Sequence, residues 1–191
     1  MIPSIDQQQD AQSVSDRTLD WLDRVVIGLN LCPFAAPVRR SNRIRVAVIG
    51  GSDQSDLLAR LLEEMDLLQR ADESEIGTSL LVFPAALSDF DDYWHFAELA
   101  NALLAQVGLE GVLQLATFHP DYLFAGEPEQ ALSHFTNRSP YPMLHLIREQ
   151  QLERLLAQYP DAEQIPQRNI DTLERLGRER LLALFGDSLP Q

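Results

Sequence analysis

The 191-residue sequence contains no lysine, because all fifteen of its basic residues are arginine. Without lysine, the protein cannot form the Schiff base through which enzymes hold pyridoxal phosphate or activate a carbonyl substrate. It also lacks the lysine that P-loop proteins and protein kinases place on nucleotide phosphates. Any anion that binds must therefore meet backbone amides or arginine, whose guanidinium holds planar anions through paired hydrogen bonds.

Cysteine is nearly absent, since Cys32 is the only one in the chain. One cysteine excludes an internal disulfide, a multi-cysteine zinc site and an iron–sulfur cluster held by this chain alone. Cys32 precedes a proline and follows the end of a predicted helix. It is a candidate nucleophile or redox thiol if a nearby arginine lowers its pKa. A buried structural cysteine is the commoner alternative.

Long apolar runs are also missing, and no segment approaches the roughly twenty residues of a membrane span. The chain begins MIPSIDQQQDAQSVSD, without the cationic start or the apolar core of a signal or transit peptide. These features favour a cytoplasmic location. The net charge of -14 repels phosphate backbones and anionic membrane surfaces. We therefore expect neither a nucleic acid nor a membrane as partner.

The length is that of one domain, large enough to bury a core without disulfides or a structural metal. The first residues are polar and acidic, which is typical of loose segments. We predict a flexible N-terminal tail over residues 1–14 and a single α/β domain over residues 15–191.

Three short apolar runs bounded by turn residues predict strands. They are Ile44–Ile49, Ser79–Phe83 and Val112–Phe118. Helical patterns lie between these strands. This alternation predicts βαβ units that form a small, mainly parallel sheet. A fourth strand is expected near Val38 or Tyr122. Helices should flank the sheet and form a C-terminal extension, with approximate bounds Ser15–Ile27, Pro140–Ala157 and Ile170–Phe185.

Ligands of parallel sheets gather at the carboxyl ends of the strands. Gly50-Gly51, Pro84-Ala85 and His119-Pro120 follow the three predicted strands, so we expect them at one shared edge. The glycines precede a helix and could cradle a phosphate. In the absence of a GxGxxG or Walker sequence, a tight turn is the favoured interpretation.

A basic run occurs just before and within the first predicted strand of this acidic chain. Its members are Arg39, Arg40, Arg43 and Arg45. The favoured interpretation is a solvated strand edge that offsets the surrounding carboxylates. An anion site is the alternative.

The segment from Thr117 to Glu149 contains about twenty residues without a regular pattern, and such long connections are usually functional or disordered. It holds three of the four histidines. His119 follows a strand and could act as a general acid or base near neutral pH, with Asp121 and Tyr122 close enough to orient it. The alternative is a buried histidine that closes the strand end.

An anion site is predicted where this segment enters its helix. Ser139 followed by Pro140 is a typical helix start, whose free amides favour an anion, and Arg138 adds a fixed cation. Residues at i, i+4 and i+7 would extend the site along one helix face. The candidate ligand-binding residues are Asn137, Arg138, Ser139, Tyr141, His145, Arg148 and Tyr122. Alternatively, Tyr141 and His145 are packing residues and Arg148 pairs with a carboxylate.

No metal site is predicted. His119, Asp121, His134 and His145 could converge in the fold, but none of the usual metal-binding spacings joins them. Iron–sulfur and pyridoxal phosphate cofactors are excluded above, and no other cofactor is assigned.

Four stretches carry a resemblance to a known family. They are GLNLCPFA (28–35), SLLVFP (79–84), LATFHPDYLFAG (115–126) and NRSPYPMLHLIRE (137–149). With these motifs the chain resembles the bacterial and plastid-lineage family known as domain of unknown function 1415, over nearly all of its length after the tail. That resemblance implies no activity and carries over no catalytic residues.

The sequence leaves three hypotheses. The first is a cytosolic enzyme acting on a small anionic metabolite, held by Arg138, Arg148 and the Ser139 helix start, with His119 moving a proton. The second is a non-catalytic module that senses a ligand or docks on a protein. The third is a thiol redox protein acting through Cys32.

Overall fold

The computed structural model describes residues 5–186 and confirms the predicted α/β fold, with seven α-helices and one four-stranded sheet in that range. In chain order the elements are α1 (Ile5–Trp21), a π-helix (Leu22–Ile27), α2 (Ala35–Arg40), β1 (Ile44–Val48), α3 (Gln54–Arg70), β2 (Thr78–Val82), α4 (Phe90–Gln106), β3 (Leu113–Phe118), a 3-10 helix (Leu132–Thr136), β4 (Met143–Arg148), α5 (Glu149–Gln158), a 3-10 helix (Ala162–Gln164), α6 (Ile165–Leu176) and α7 (Arg178–Gly186). The three predicted strands are confirmed to within one residue at each end.

The prediction of a mainly parallel sheet is wrong. The strand order is β1-β2-β4-β3, in which β1 and β2 are parallel and β4 is antiparallel to both of its neighbours. Because β2 and β3 each run opposite to β4, the first three strands still point in one direction. Their carboxyl ends therefore share one edge, as predicted. The fourth strand lies at Met143–Arg148, not near Val38 or Tyr122.

The predicted helix Pro140–Ala157 is also wrong in its first half, since the helix begins only at Glu149. β4 lies between two other strands and is covered on both faces. Leu144 and Leu146 are fully buried towards one face, and Met143 is fully buried towards the other. A strand covered on both faces has apolar residues throughout, so the alternation that identifies strands is hidden.

Helices cover both faces of the sheet. On one face α3 and α4 pack over an apolar cluster that includes Leu61, Phe96 and Leu144. On the other face the π-helix and α7 enclose a second cluster that includes Val25 and Phe185. Each fully buried side chain of this kind contributes about 1.5–3 kcal/mol. The core therefore consists of two layers separated by the sheet.

Aspartates cap the two long helices on the first face. The Asp53 carboxylate accepts hydrogen bonds from the amides of Ser55 and Asp56, and Asp89 caps α4 in the same way. Such caps contribute about 1 kcal/mol each. Because the capping carboxylate already occupies the amides after Gly50-Gly51, the tight-turn interpretation of these glycines is supported over a phosphate cradle.

The helical ends differ from the predictions. α1 begins at Ile5, so the predicted tail of residues 1–14 is helical from that residue on, and residues 1–4 lie outside the described range. The predicted C-terminal helix Ile170–Phe185 is two helices. Gly177, with φ of +78°, ends α6 and starts a new direction for α7. No helix in the described part of the chain is long and apolar enough to cross a membrane.

Candidate functional site

His119 lies fully buried just after β3. Its Nε2–H donates to the Leu87 carbonyl at 3.0 Å, and its Nδ1 accepts the Asp121 amide at 3.0 Å. The ring centroid lies 5.3 Å from that of Phe90 and 5.0 Å from that of Tyr93. Both ring nitrogens are thus occupied by the backbone.

This arrangement agrees with the alternative of a buried histidine that closes the strand end. Burial lowers the pKa of His119, which keeps the ring neutral. Its bond holds Leu87, a non-glycine residue with φ of +60°. Asp121 contributes its amide, and its side chain lies exposed. The predicted acid–base role of His119 finds no support in this geometry, because neither nitrogen is left for a substrate proton.

Tyr122 and His134 hold the long segment after β3 in place. The Tyr122 hydroxyl lies 3.0 Å from Thr117 Oγ1, and its ring is buried. His134 is fully buried and bonds the Phe124 amide and the Pro128 carbonyl. The segment is therefore ordered by its own buried polar side chains. Among the side chains that the structure describes, those of residues 8–186, no group of three or more His, Cys, Asp or Glu is placed to hold a metal ion.

The predicted helix start at Ser139 does not exist, since β4 follows in its place. The Ser139 hydroxyl donates to the Tyr141 carbonyl at 2.6 Å. The Asn137 side-chain amide donates to the Thr117 carbonyl at 2.9 Å. Both side chains stabilise the turn into β4. The free helix amides on which the predicted anion site depended are absent here.

The predicted polar face of Tyr141, His145 and Arg148 is also absent. Residues 145 and 148 point to opposite faces of β4, because side chains alternate along a strand. The Arg148 guanidinium donates to the Ala71 carbonyl at 2.7 Å and to that of Ile76, which joins the end of β4 to the loop before β2. Tyr141 packs against the second apolar cluster. These are structural contacts.

Among the predicted anion-binding residues, only Arg138 has a buried side-chain polar atom without a hydrogen-bond partner in the described part of the chain. Its guanidinium lies 4.5 Å from the centroid of the Phe135 ring, which is a cation–π contact. Its buried Nε has no hydrogen-bond partner among the described residues. Burial is the main cause that lowers its pKa, and the nearby Arg178 charge adds to that effect.

The basic run before β1 has mixed partners. Arg45 holds the buried carboxylate of Glu64 through two bonds of 2.7 and 2.8 Å, and Arg39 pairs with Asp23. Arg43 differs from both, because its guanidinium donates at 3.1 Å to the backbone carbonyl of Glu73. No carboxylate among the described side chains of residues 8–186 pairs with Arg43.

A cavity of about 270 Å³ lies on the second face of the sheet, beneath the helices; we call it the sheet cavity. Its lining residues are Trp21, Leu22, Val26, Cys32, Phe34, Ala35, Val38, Ile44, Thr78, Leu80, Ala116, Phe118, His145, Ile147, Gln151, Leu152 and Leu155. It lies towards the amino ends of β1 and β2. At β3 it also reaches the predicted shared edge, because Phe118, the last residue of that strand, lines it.

The π-helix and α5 both contribute side chains to the walls of the sheet cavity. The π-helix contributes Leu22 and Val26, and π-helical turns are frequent at functional sites. Gly28 ends it, and a Cβ there would lie 2.2 Å from the Arg24 carbonyl oxygen, so only glycine fits. Opposite, α5 has no fully buried residue, although Leu152 and Leu155 face the cavity. The apolar side of α5 therefore covers a space in place of a packed core.

Thr78, His145 and Gln151 are the polar residues with amide, hydroxyl or imidazole groups that line this cavity. The Thr78 hydroxyl donates to the Leu146 carbonyl at 2.5 Å, so its oxygen must accept the proton of His145 Nε2, 2.6 Å away. That leaves His145 Nδ1 as a lone-pair acceptor without a partner among the described residues. Burial lowers the pKa of His145 to about 4, so the ring is neutral at pH 7. Trp21, another lining residue, has an indole Nε1–H that likewise has no partner in the described chain.

Cys32 also lines the sheet cavity, together with a neighbouring space of about 560 Å³ that we call the loop cavity. The loop cavity is bounded by the segment after β3 and by α6, including Phe124, Asn137 and Ile165. Burial raises the pKa of the Cys32 thiol. A reactive thiol needs the opposite shift, so this environment does not favour the redox hypothesis.

The sheet cavity could not be assembled from sequence spacing. Its polar pair joins residues 78 and 145, which meet only because β4 inserts beside β2. Cys32 and His145 were both singled out from the sequence, but neither was predicted to line an apolar space. A helix was predicted over most of residues 149–158, although nothing in a helical pattern distinguishes a cavity wall from a core-facing helix.

Comparison with known proteins identifies the family. The chain belongs to the family described as "Protein of unknown function (DUF1415)", whose family model matches residues 13–183. This confirms the resemblance found in the sequence. No curated protein and no solved structure matches the chain.

Proposed function

We propose that this member of the DUF1415 family is a non-catalytic, cytosolic ligand-binding protein whose sheet cavity holds a small, mainly apolar molecule. The observation that carries the proposal is a space of about 270 Å³ lined almost entirely by apolar side chains. Water gains few hydrogen bonds in such a space, whereas apolar molecules enter it readily. Ligand sites in general are concave and mostly apolar, with a few fixed polar groups.

The volume and the polar groups restrict the ligand. An engineered protein cavity of about 150 Å³ holds benzene, so about 270 Å³ corresponds to roughly ten carbon atoms. His145 and Trp21, which line this space, each have one ring nitrogen without a partner among the described residues. The net charge of -14 makes a small molecule a better ligand for this protein than a nucleic acid.

Binding without chemistry is favoured by the state of the reactive groups. His145 is neutral at pH 7, and its Nε2 proton is held by Thr78. The raised pKa of Cys32 keeps its thiol protonated. An enzyme requires an acid, a base or a nucleophile whose pKa is close to the working pH. Here the pKa of His145 is lowered and that of Cys32 is raised, so both move away from neutral pH.

The test fills the cavity. Ala116 lines it from β3, and Ala116→Leu places three more carbon atoms inside. The control is Ala105→Leu, which makes the same change at an exposed position of α4. With 1-decanol as probe, the wild type and the control should show the same rise in melting temperature, and Ala116→Leu should show none. Equal stabilisation of all three proteins would place the probe elsewhere and refute the proposal.

Arg138 supports a second candidate function, the binding of a small anionic metabolite as the sequence suggested. The supporting observation is the buried Nε without a partner. In a thermal-shift series with inorganic phosphate, the wild type and the exposed control Arg175→Ala should be stabilised equally, and Arg138→Ala should lose the effect. Equal stabilisation of Arg138→Ala would exclude this site.

A further inference from the structure

A smaller space of about 200 Å³ adjoins the sheet cavity; we call it the edge cavity. The two share the lining residues Phe34, Val38, Gln151 and Leu155. Its charged lining residues are Arg43, Glu73 and Arg154. A molecule that fills the apolar space and extends past the shared residues therefore meets charged side chains.

The charges of the edge cavity do not cancel. The Glu73 carboxylate is paired with Arg154. Arg43 donates one bond to the Glu73 backbone carbonyl, and no carboxylate of the described chain pairs with its guanidinium. The lining thus carries one excess positive charge in a protein whose net charge is -14. Arg43 is also half-buried, which strengthens its attraction for an anion relative to a fully exposed arginine.

We propose that the ligand is an amphipathic carboxylate, with an apolar chain of about ten carbon atoms in the sheet cavity and its carboxylate on Arg43 in the edge cavity. The inference rests on the proposed ligand-binding function and adds the chemical class of the ligand. A guanidinium matches a carboxylate through two parallel hydrogen bonds, and Arg43 has free donors for them. Arg154 keeps the Glu73 carboxylate from repelling the head group.

The opposite end of the sheet cavity is less suited to an anion. There the loop cavity begins at Val26, Cys32 and Phe118, and its one charged lining residue is Glu127. A carboxylate placed on that side would face a like charge without a cation. Charge complementarity therefore fixes the direction of the ligand, with its head towards Arg43.

The experiment compares decanoate with 1-decanol, both below the concentration at which they aggregate, by isothermal titration calorimetry. The variant is Arg43→Gln, which keeps a hydrogen-bond donor and removes the charge. Its matched control is Arg40→Gln, an exposed position outside both cavities. Decanoate should bind Arg43→Gln about tenfold or more weakly than the wild type, and decanol should bind both proteins equally. Arg40→Gln should bind both probes as the wild type does.

A second variant should change the affinity for decanoate in the opposite direction. Glu73→Gln removes the carboxylate of the edge cavity, so decanoate should bind it more tightly than the wild type, while decanol is unaffected. Decanoate affinity that is unchanged in Arg43→Gln, or lowered equally with that of decanol, overturns the head-group assignment. If decanol binds the wild type but decanoate does not, the cavity proposal stands and the carboxylate proposal fails. If neither probe binds the wild type, both proposals fail.

Discussion

His145 Nε2 and Thr78 Oγ1 lie 2.6 Å apart, on the neighbouring antiparallel strands β4 and β2. Because the threonine proton is directed to the Leu146 carbonyl, this contact fixes the histidine in a single neutral tautomer. The pair therefore leaves His145 Nδ1 as a lone-pair acceptor without a partner among the described residues, in a side chain that lines a mainly apolar cavity. This relation connects the sheet topology to the kind of ligand that the cavity can hold.

The first prediction concerns stability against pH. The pKa of His145 is about 4 in the folded protein, against 6.5 for an ordinary histidine. Below pH 6.5 His145 is protonated in the unfolded chain, whereas in the folded chain it becomes protonated only near pH 4. The stabilisation is therefore complete above pH 6.5 and is lost as the pH falls to 4. Between pH 7 and 4 the loss amounts to about 3 kcal/mol of unfolding free energy.

Urea unfolding at a series of pH values measures this contribution as a difference. His145→Gln lacks the titrating ring, so its free energy of unfolding should fall less than that of the wild type across this range. Other groups that titrate there, including His119, cancel in the comparison. Parallel curves for the two proteins would show that His145 is not held neutral.

The second prediction concerns His119. Its removal in His119→Ala leaves the Leu87 carbonyl and the Asp121 amide without their partner. We expect a loss of about 2–4 kcal/mol in unfolding free energy, since two buried polar groups lose their bonds and a cavity forms. His95→Ala, on the exposed side of α4, is the matched control and should change stability by less than about 0.5 kcal/mol. An unfolding free energy of His119→Ala equal to that of the wild type would contradict this structural role of His119.

The third prediction concerns Arg148, which holds two carbonyls of the loop between α3 and β2. Arg148→Lys keeps the charge but cannot reach both carbonyls in the same fixed geometry. We expect a loss of about 1–3 kcal/mol. Arg175→Lys, at an exposed position of α6, should cost nothing measurable. Chemical denaturation checks both variants, and equal midpoints would contradict the assignment.

The fourth prediction concerns the reactivity of Cys32. Because burial raises its pKa, the thiol should react with iodoacetamide more slowly than glutathione at pH 7.5, and its rate should still rise above pH 9. Bound 1-decanol should slow the reaction further, since the side chain lines the sheet cavity. A rate that levels off below pH 8 would indicate a thiolate and revive the redox hypothesis.

Local patterns predicted the elements whose two sides differ in polarity or whose ends carry clear signals. β1, β2 and β3 lie between turn residues and were found within one residue of their true bounds, and the helical patterns predicted between them lie where α3 and α4 occur. The family was also found, because its motifs are long. β4 was missed because it is apolar on both faces and follows Ser139-Pro140, which imitates a helix start.

The missed strand accounts for most errors in the predicted site. Assigning residues 143–148 to a helix places Tyr141, His145 and Arg148 on one helix face and makes Ser139 the N-cap of that helix. In the sheet, His145 instead meets Thr78, 67 residues away in the chain. Contacts of that range depend on strand order, which periodicity along a single sequence does not contain. The same limit applies to His119, whose role is set by the carbonyl of Leu87.

The most direct measurement uses the fluorescence of Trp21, which lines the sheet cavity. Trp94, the other tryptophan of the chain, lies exposed on α4, so Trp94→Phe leaves Trp21 as the reporter. Titration of this variant with 1-decanol should give a saturable change in emission, and the change should vanish when Ala116→Leu is added. An emission spectrum that decanol leaves unchanged, in a protein that remains folded, would contradict the account that this cavity is a ligand site.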